Sequence, residues 1–489
     1  MSFMNAAGDL SPFSEVVPSA ASLDKPTKSS ILTARRRVRV VPQSGPTAGS
    51  AGAGGGSQQI QFLIADQGGL VDLRSVVLNY YIQTSGAGTP CPDDGHVFTT
   101  VQALLNGQLL DSIQQAARVA NIEMKLGGSR SYYQSAGSFQ GFQLLNPDLI
   151  PDLPASNSAV SIGAWACVQN NQASCAVRSA RAADPRTGNT AGMSVSIPLG
   201  LMTGLGRCKQ YLPIAVLGEL ALVLQTGTAS DVLFTTSSST AGDYSLSKIN
   251  IEYDVVVPSS AYMSLLSKIA MEDGGFMIPY ESTIVATGGQ ISASASALQE
   301  SSIIVSRATN HLLRAHVIQV PTVGGNTLGY PSQSCFAHAG TNTYQFRIGS
   351  QMYPQVPVDG DAAMFSASLA AYGAPLNENG AVINRALWAH STNAGTAGTP
   401  AVFETAQVAT GGTTKFAYAD SFIPSYGFQT VKGGAEPAMV DGVSLAGASG
   451  SQIVCSLVSA PSVAYTPFVS LVALRFIQAA AGAVSVRGA

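Results

Sequence analysis

The sequence predicts an all-β chain built as two consecutive antiparallel sandwiches, and three observations predict it. The chain has 489 residues, and one all-β sandwich commonly takes roughly 200–250 residues, so two large cores fit. Hydrophobic residues make up 46% and charged residues only 11%, against about 25% charged in ordinary soluble domains, so much of the surface is neutral. From Ile60 onward, short apolar-alternating runs are separated by turn-forming residues, and sustained helical periodicity is rare.

The first 59 residues read differently. A polar start containing Pro and Ser leads to Arg35, Arg36, Arg37 and Arg39, and a Gly/Ala/Ser stretch follows from Ala48 to Ser57. That stretch has no side chain able to bury much apolar area, so residues 1–59 are expected to form a flexible N-terminal arm. Its four arginines are expected to make at most a weak contact with nucleic-acid phosphates or with a partner.

Ile60, Phe62 and Ile64 alternate with other residues and predict a half-buried strand. Val76 to Gln83 predicts a second strand, covered on both faces. Val101 to Leu110 predicts a strand pair around Asn106-Gly107, a dipeptide whose tolerance of positive φ favours a tight type I′ hairpin. Ser112 to Leu126 predicts a helix, with Ile113, Ala116, Ala117, Ala120 and Met124 along one side. Tyr132 to Gly192 is rich in Asn, Ser, Pro and Gly and too long for an ordinary connection, which predicts a surface insertion standing out as a tower.

Strands are expected again at Ser194 to Leu199, Tyr211 to Leu224 and Tyr244 to Val257, the last ended by Pro258, which removes a ladder donor. Ala261 to Ala270, with Tyr262, Leu265, Leu266 and Ile269 on one side, predicts a short helix bridging two domains. The boundary is placed there: 60–265 for the first sandwich and 266–489 for the second. The second half predicts strands at Ile303 to Val305, Leu312 to Val320, Tyr344 to Ile348, Ile453 to Val458 and Phe468 to Ile477, with a terminal Val484, Val486 alternation. A Gly-, Ala-, Asn- and Thr-rich insertion is expected from Asn377 to Thr414.

The formal net charge is only −3, which leaves little repulsion to keep copies apart and favours self-association. A secreted or halotolerant β protein with a Ser/Thr/Gly surface has the same composition. No apolar run reaches the roughly 18 residues of a membrane span and the start lacks the order of a signal peptide, so a soluble, unprocessed chain is expected. The six cysteines, Cys91, Cys167, Cys175, Cys208, Cys335 and Cys455, show no C-x-x-C spacing, which reads as mostly buried thiols, is compatible with a reducing compartment and leaves a Cys167–Cys175 bridge open.

The residue pattern points to no enzyme. Gly52 to Gly56 lacks the following Gly-Lys-Ser/Thr of a phosphate-cradling loop. His311 and His316 are five apart in a strand region and fall on opposite faces, where they cannot share a metal. The acidic pairs Asp93-Asp94, Glu272-Asp273 and Asp359/Asp361 read as turns, with Asp359-Gly360-Asp361 the one place where a cation is considered. No strand-to-helix Gly-x-Ser-x-Gly elbow occurs. No catalytic, cofactor-binding or metal residue is therefore assigned, and no cofactor is expected.

Three patches carry a resemblance. Ile60 to Ile64 with Leu70-Val71-Asp72-Leu73-Arg74-Ser75, Ile197-Pro198-Leu199 with Tyr211-Leu212-Pro213-Ile214, and Tyr344 to Ser350 with Tyr353-Pro354-Gln355-Val356-Pro357 follow one another in order. In this they resemble the double jelly-roll major capsid proteins of polinton-like viruses, virophages and adenovirus-like DNA viruses. Val71 departs from the usual residue at its position, and the long loops match nothing in the family. The resemblance implies two eight-stranded antiparallel jelly rolls with loop insertions and a few short helices. It also implies homotrimeric, pseudo-hexagonal capsomers tiling an icosahedral shell around a DNA genome. Neighbouring capsomers, penton proteins and minor capsid or cement proteins would be the partners, and the virion the location.

Three alternatives are weighed against this. A secreted or surface β-sandwich that binds glycans would need aromatic platforms, for which only Trp165 and Trp388 are available. A polysaccharide-acting enzyme would need paired carboxylates at a set separation. A minor capsid or penton protein would fill this length poorly with a single jelly roll.

Overall fold

The computed structural model describes residues between 32 and 129, between 193 and 372 and between 422 and 487, with shorter gaps inside each span, and a few isolated residues such as Gln140 and Trp388. The first half contains β1 (Leu32–Val40), β2 (Ala48–Gly49), β3 (Gln59–Ile64), β4 (Leu70–Gly86), β5 (Cys91–Pro92), β6 (Phe98–Leu105), β7 (Gln108–Gln114), β8 (Met193–Pro198), β9 (Leu220–Thr226), β10 (Leu233–Phe234) and β11 (Gly242–Pro258). The second contains β12 (Phe276–Thr287), β13 (Gln299–Ser306), β14 (Leu312–Pro321), β15 (Thr341–Ile348), β16 (Gln351–Asp359), β17 (Ser425–Gly427), β18 (Gln452–Ser459), β19 (Tyr465–Ala480) and β20 (Ala483–Arg487). Three longer helices accompany them: α1 (Ala116–Gly127), α2 (Ser260–Met271) and α3 (Asp361–Ala371).

The strands build one sandwich per half. In the first, β1-β11-β4-β8 face β3-β9-β6-β7; in the second, β12-β19-β14-β17 face β13-β18-β15-β16. If the eight main strands of each half are numbered in chain order, both halves give one sheet ordered 1-8-3-6 and another ordered 2-7-4-5. That order is what results when a long antiparallel hairpin, pairing 1 with 8, 2 with 7, 3 with 6 and 4 with 5, wraps around a core.

The alternation seen in the sequence is the reason these faces close. Ile60, Phe62 and Ile64 of β3 are buried, as are Leu220, Leu222 and Leu224 of β9, with which they pair in register. β19 is buried on both faces, Phe468, Val469, Leu471 and Val472 included. One face lies in the sandwich, while on the other Leu474 and Phe476 pack on Leu313. The expected hairpin forms at Asn106 and Gly107, whose φ values of 48° and 78° lie in the left-handed region a type I′ turn needs.

The resemblance patches have physical roles. The ladder between β4 and β11 slips between Glu252 and Asp254; there Ser75 Oγ donates to the Asp72 carbonyl at 2.6 Å and accepts from the Asp254 backbone N–H at 2.8 Å. Val71 and Leu212 exchange two backbone hydrogen bonds of 2.9 and 2.8 Å, which joins the Leu70–Ser75 patch to the Tyr211–Ile214 patch.

Several expectations need correction. The arm does not begin the folded body at residue 60, because β1 lies inside 1–59 and pairs with β11 from Leu32↔Pro258 to Val40↔Ile251. Val38 and Val40 pack against the core, while Arg35, Arg37 and Arg39 stand on the other face beside an acidic row. Arg35 binds Asp254 at 2.6 Å and Asp72 at 3.4 Å, and Arg37 binds Glu252 at 3.0 Å. The arginines therefore form a cross-strand charge ladder rather than a run facing phosphates. Residues 1–31 and 50–56 lie outside the described residues.

The helix expected from Ser112 starts only at Ala116, since Ile113 pairs with Val101 across the ladder and Gln115, at φ 55°, breaks the chain out of the strand. Between Tyr211 and Leu224 only Leu220 onward is strand; Ile214–Leu217 form a single helical turn that Gly218 ends at φ 90°. The bridging helix is present as α2, and residue 265 falls within it. The 141–192 part of the first insertion and, apart from Trp388, the 377–414 insertion lie outside the described residues.

Two outcomes follow for β1. Deleting residues 1–59 is expected to lower the thermal midpoint sharply, since β11 loses its partner along nine residues; a truncated chain melting with the full one would refute the strand's role. Arg37→Ala is expected to change stability in urea by less than about 1 kcal/mol, because the pair is exposed and screened.

Candidate functional site

The chemistry concentrated in this protein lies where the two sandwiches meet. Glu123 comes from α1 and Arg207 from the helical turn Gly204–Arg207, both in the first half. Glu281 from β12 and Arg314 from β14 come from the second. Arg207 reaches Glu123 at 3.1 Å and Glu281 at 2.9 Å, and Arg314 reaches Glu123 at 3.4 Å and Glu281 at 2.8 Å. Opposite charges thus alternate around a closed, neutral ring.

Arg314 and Glu123 are only 8% and 7% exposed, while Arg207 and Glu281 keep 28% and 19%, so the ring opens to water on one side. Burial by itself would raise the Glu281 carboxyl, but Arg314 and Arg207 outweigh it and hold it at about 2. The same contest leaves Glu123 below its ordinary value. Burial would likewise lower the guanidinium of Arg314, yet Glu281 and Glu123 raise it well above its ordinary value.

β12 is gripped along four consecutive residues. Cys208 Sγ donates to the Pro279 carbonyl at 3.4 Å, Tyr280 Oη donates to the Leu110 carbonyl at 2.9 Å, Glu281 takes the ring arginines, and Ser282 Oγ donates to Asp111 Oδ1 at 2.9 Å. The approach is close enough that a Cβ on Gly204 would lie 2.3 Å from the Glu281 carbonyl oxygen, which explains a glycine there. Burial pushes Asp111 up to about 6 against the Ser282 hydrogen bond and the Arg475 charge.

These shifts predict opposite pH dependences. Glu281 is depressed, so its stabilisation is present above its unfolded value and lost as pH falls toward about 2. Asp111 is raised, so the stability linked to it is present at low pH and lost as pH rises through about 6. Asp111→Asn is expected to flatten the fall in stability between roughly pH 4 and 6, on the order of 2–3 kcal/mol; an unchanged pH profile by urea unfolding would refute this.

Beside the ring, Arg314 sits 4.7 Å over the Tyr372 ring. His316 stacks on Tyr372 at 5.5 Å, and its Nδ1 shares a hydrogen bond of 2.8 Å with Ser425 Oγ. Burial pushes this imidazole down to about 3, so it is neutral. His311 packs instead against Phe476, and the two histidines are not brought together. Among the described residues no group of three or more His, Cys, Asp or Glu is placed to hold a metal.

The other sequence candidates have structural roles. Asp359 ends β16 opposite Thr343, and Asp361 opens α3 after Gly360 at φ 81°. Glu272 caps α2. Cys208 and Cys455 are buried free thiols. Trp388 is buried against Phe365 and Phe422 and offers no stacking platform. Asp93, Asp94, Asp273, Trp165, Cys167, Cys175 and Cys335 lie outside the described residues, as does the side chain of Cys91.

Sequence reasoning missed Glu123, Arg207, Glu281 and Arg314. A faint signal existed: Glu281 interrupts Ile278-Pro279-Tyr280 and Ile284-Val285, and Arg314 interrupts Leu312-Leu313 and Ala315, where a buried strand tolerates a charge only if it is paired.

Neither a family model nor a curated protein matches the sequence, so likeness to known proteins rests on shape. The capsid of the virus PBCV-1, as a quasi-atomic model, superposes with TM-score 0.55 at 10% identity, covering 95% of this chain and 99% of that one. The Faustovirus major capsid protein gives 0.54 at 10% identity over 94% and 92%. PBCV-1 VP54, fitted into a reconstruction of the virophage Sputnik, gives 0.52 at 9% identity over 95% and 99%. Such coverage requires both sandwiches to match together, as the repeated 1-8-3-6 and 2-7-4-5 orders already imply. The chain is a double jelly roll. In this double jelly roll the charged ring ties the first roll to the second, and α2 carries the chain between them.

Proposed function

We propose that the chain is the major capsid protein of an icosahedral DNA virus, a structural protein of the virion and not an enzyme. The observation that carries this is the end-to-end superposition of both jelly rolls on capsid chains, with more than nine-tenths of each chain covered. Three copies would form a pseudo-hexagonal capsomer, and neighbouring capsomers, penton proteins and minor capsid or cement proteins would complete the shell.

The surface supports assembly. Met352 and Val356 on the edge strand β16 are 43% and 75% exposed, and Leu298 and Ile304, at and on the opposite edge strand β13, are 61% and 57% exposed. Pro354 and Pro357 interrupt the donors of β16, which discourages open-ended strand addition and leaves side-chain contact as the mode of association. The neutral, sparsely charged surface acts in the same direction. Stable obligate interfaces bury on the order of 2,000–5,000 Å², the area a trimer built on these edges would have to bury.

The test is the mass of the purified full chain by light scattering, with negative-stain images of the same sample. A trimer with hexagonal outline is expected. A monodisperse monomer that stays monomeric with its assembly partners present would overturn the reading and return weight to a glycan-binding sandwich.

A further inference from the structure

The two jelly rolls repeat more than their sheet orders. In each, the fifth strand passes through one left-handed residue straight into a helix: β7 through Gln115 at φ 55° into α1, and β16 through Gly360 at φ 81° into α3. α1 and α3 are therefore the same element of the repeat, yet their surroundings differ. Ten of the twelve residues of α1 are buried, against three of the eleven of α3. The cause is visible in the joint between the rolls. There β7 and α1 lie against β12 and β14, the first and third strands of the second roll, where Glu123 meets Arg314 and the Leu110 carbonyl meets Tyr280. β16 and α3 have no further roll within the chain to lie against. Met352 and Val356 of the strand and Ala362, Ala363 and Ser366 of the helix stay exposed.

The first roll shows the complementary omission. Its own first and third strands, β1 and β4, present outward the face that corresponds to the one covered on β12 and β14. On that face Arg35, Arg37, Arg39 and Arg74 are each more than half exposed. Arg39 and Arg74 reach their carboxylates only at 3.9 Å, which leaves guanidinium donors to spare. Four arginines stand over three carboxylates, Asp72, Glu252 and Asp254, so the ladder keeps one positive charge in excess. Val41, at the end of β1, is exposed beside it. The uncovered surface of the second roll has the opposite sign, since Asp359 and Asp361 are the only charged residues from Gln351 to Ala371 and both are exposed.

We propose that β16 and α3 of one copy dock on the outer face of β1 and β4 of a second copy, with Asp359 and Asp361 toward the arginines and Met352 and Val356 toward Val41. The contact repeats between chains the joint already made within one. It is head-to-tail, joining two unlike surfaces, and such contacts close into a ring when the rotation divides a full turn. The assignment rests on the capsid reading, in which three copies form the capsomer.

The test places the photo-reactive residue p-benzoylphenylalanine at the exposed position of Val356 in the full chain, co-assembles it with isotope-labelled wild type, and maps the adducts by mass spectrometry. Adducts are expected on labelled peptides within Leu32–Val41 or Leu70–Ser75. Trimers whose adducts fall elsewhere overturn the docking and leave the capsid reading standing. Adducts on the arginine face in an assembly other than a trimer keep the docking and overturn the capsomer. A chain that stays monomeric with its assembly partners present, and gives no adduct between copies, overturns both. Asp359→Lys, at an exposed strand end, is expected to weaken association about tenfold at low salt and less at high salt, read by sedimentation; undiminished association overturns the charge match.

Discussion

Arg314→Met is expected to destabilise the chain by about 3–5 kcal/mol, the usual cost of removing one partner from a buried charge pair. Arg314 serves Glu281 through two hydrogen bonds, of 3.2 and 2.8 Å, and Glu123 through a third of 3.4 Å. Without it, Glu123 and Glu281 share only Arg207, and one negative charge stays buried in excess. Because the ring spans both jelly rolls, the loss falls on their mutual docking, and the first urea transition is expected to move to lower denaturant while the interior of each roll stays protected from hydrogen exchange. Arg314→Met combined with Glu281→Leu is expected to recover a large part of the loss, since Glu123 and Arg207 then remain as a neutral pair. A single variant within about 1 kcal/mol of wild type would show that the ring is ornamental to stability.

Phe346→Ala is expected to cost about as much, roughly 3–5 kcal/mol, by a different mechanism. Phe346 is fully buried and stands at the centre of an aromatic cluster, 5.9 Å from Tyr344, 5.9 Å from Phe428 and 6.4 Å from Tyr426. Tyr353 joins through Phe428 at 5.4 Å. The cluster fastens β15 and β16 of one sheet to β17 of the facing sheet, and Tyr344 Oη donates to the Ser425 carbonyl at 2.8 Å across the same gap. Deleting the ring leaves a cavity that rigid strands on both sides cannot close. Calorimetry is expected to show the second jelly roll melting on the order of 10 °C lower, with Phe346→Leu retaining much of the loss; an unmoved melting transition would contradict the clamp.

This cluster shows why the resemblance was visible in sequence. Tyr344, Phe346 and Tyr353 are close in the chain because β15 and β16 form a tight hairpin, so the residues that clamp the sheets appear together as one motif. The same holds for Asp72 and Ser75 at the ladder slip in β4. Strand periods were legible for a related reason: Ile60, Phe62 and Ile64, or Ile303 and Val305, alternate whatever strand they pair with, because the period belongs to the backbone. Asn106-Gly107 announced its hairpin through local φ preference alone.

Where two signals overlapped, the stronger one misled. Arg35, Arg37 and Arg39 alternate with Arg36, Val38 and Val40 at the period of a strand, yet four arginines in five positions ahead of a Gly/Ala/Ser stretch read as part of a flexible arm. Only the placement of Glu252, Asp254 and Asp72 on neighbouring strands turns them into a ladder.

By itself, then, the sequence determined that this is a β protein of two sandwiches, where most of its strands lie, where the connecting helix falls, and that it carries few charges. Those properties depend on composition and on neighbours within a few residues. Tertiary structure alone decided the 1-8-3-6 and 2-7-4-5 sheet orders, the recruitment of β1, and the ring of Glu123, Arg207, Glu281 and Arg314. Glu123 and Arg314 are 191 residues apart, and whether a charge in an apolar segment is a fault or a fastening depends on what folding brings beside it, because the energy of a buried charge is set by its partner and not by its position in the chain.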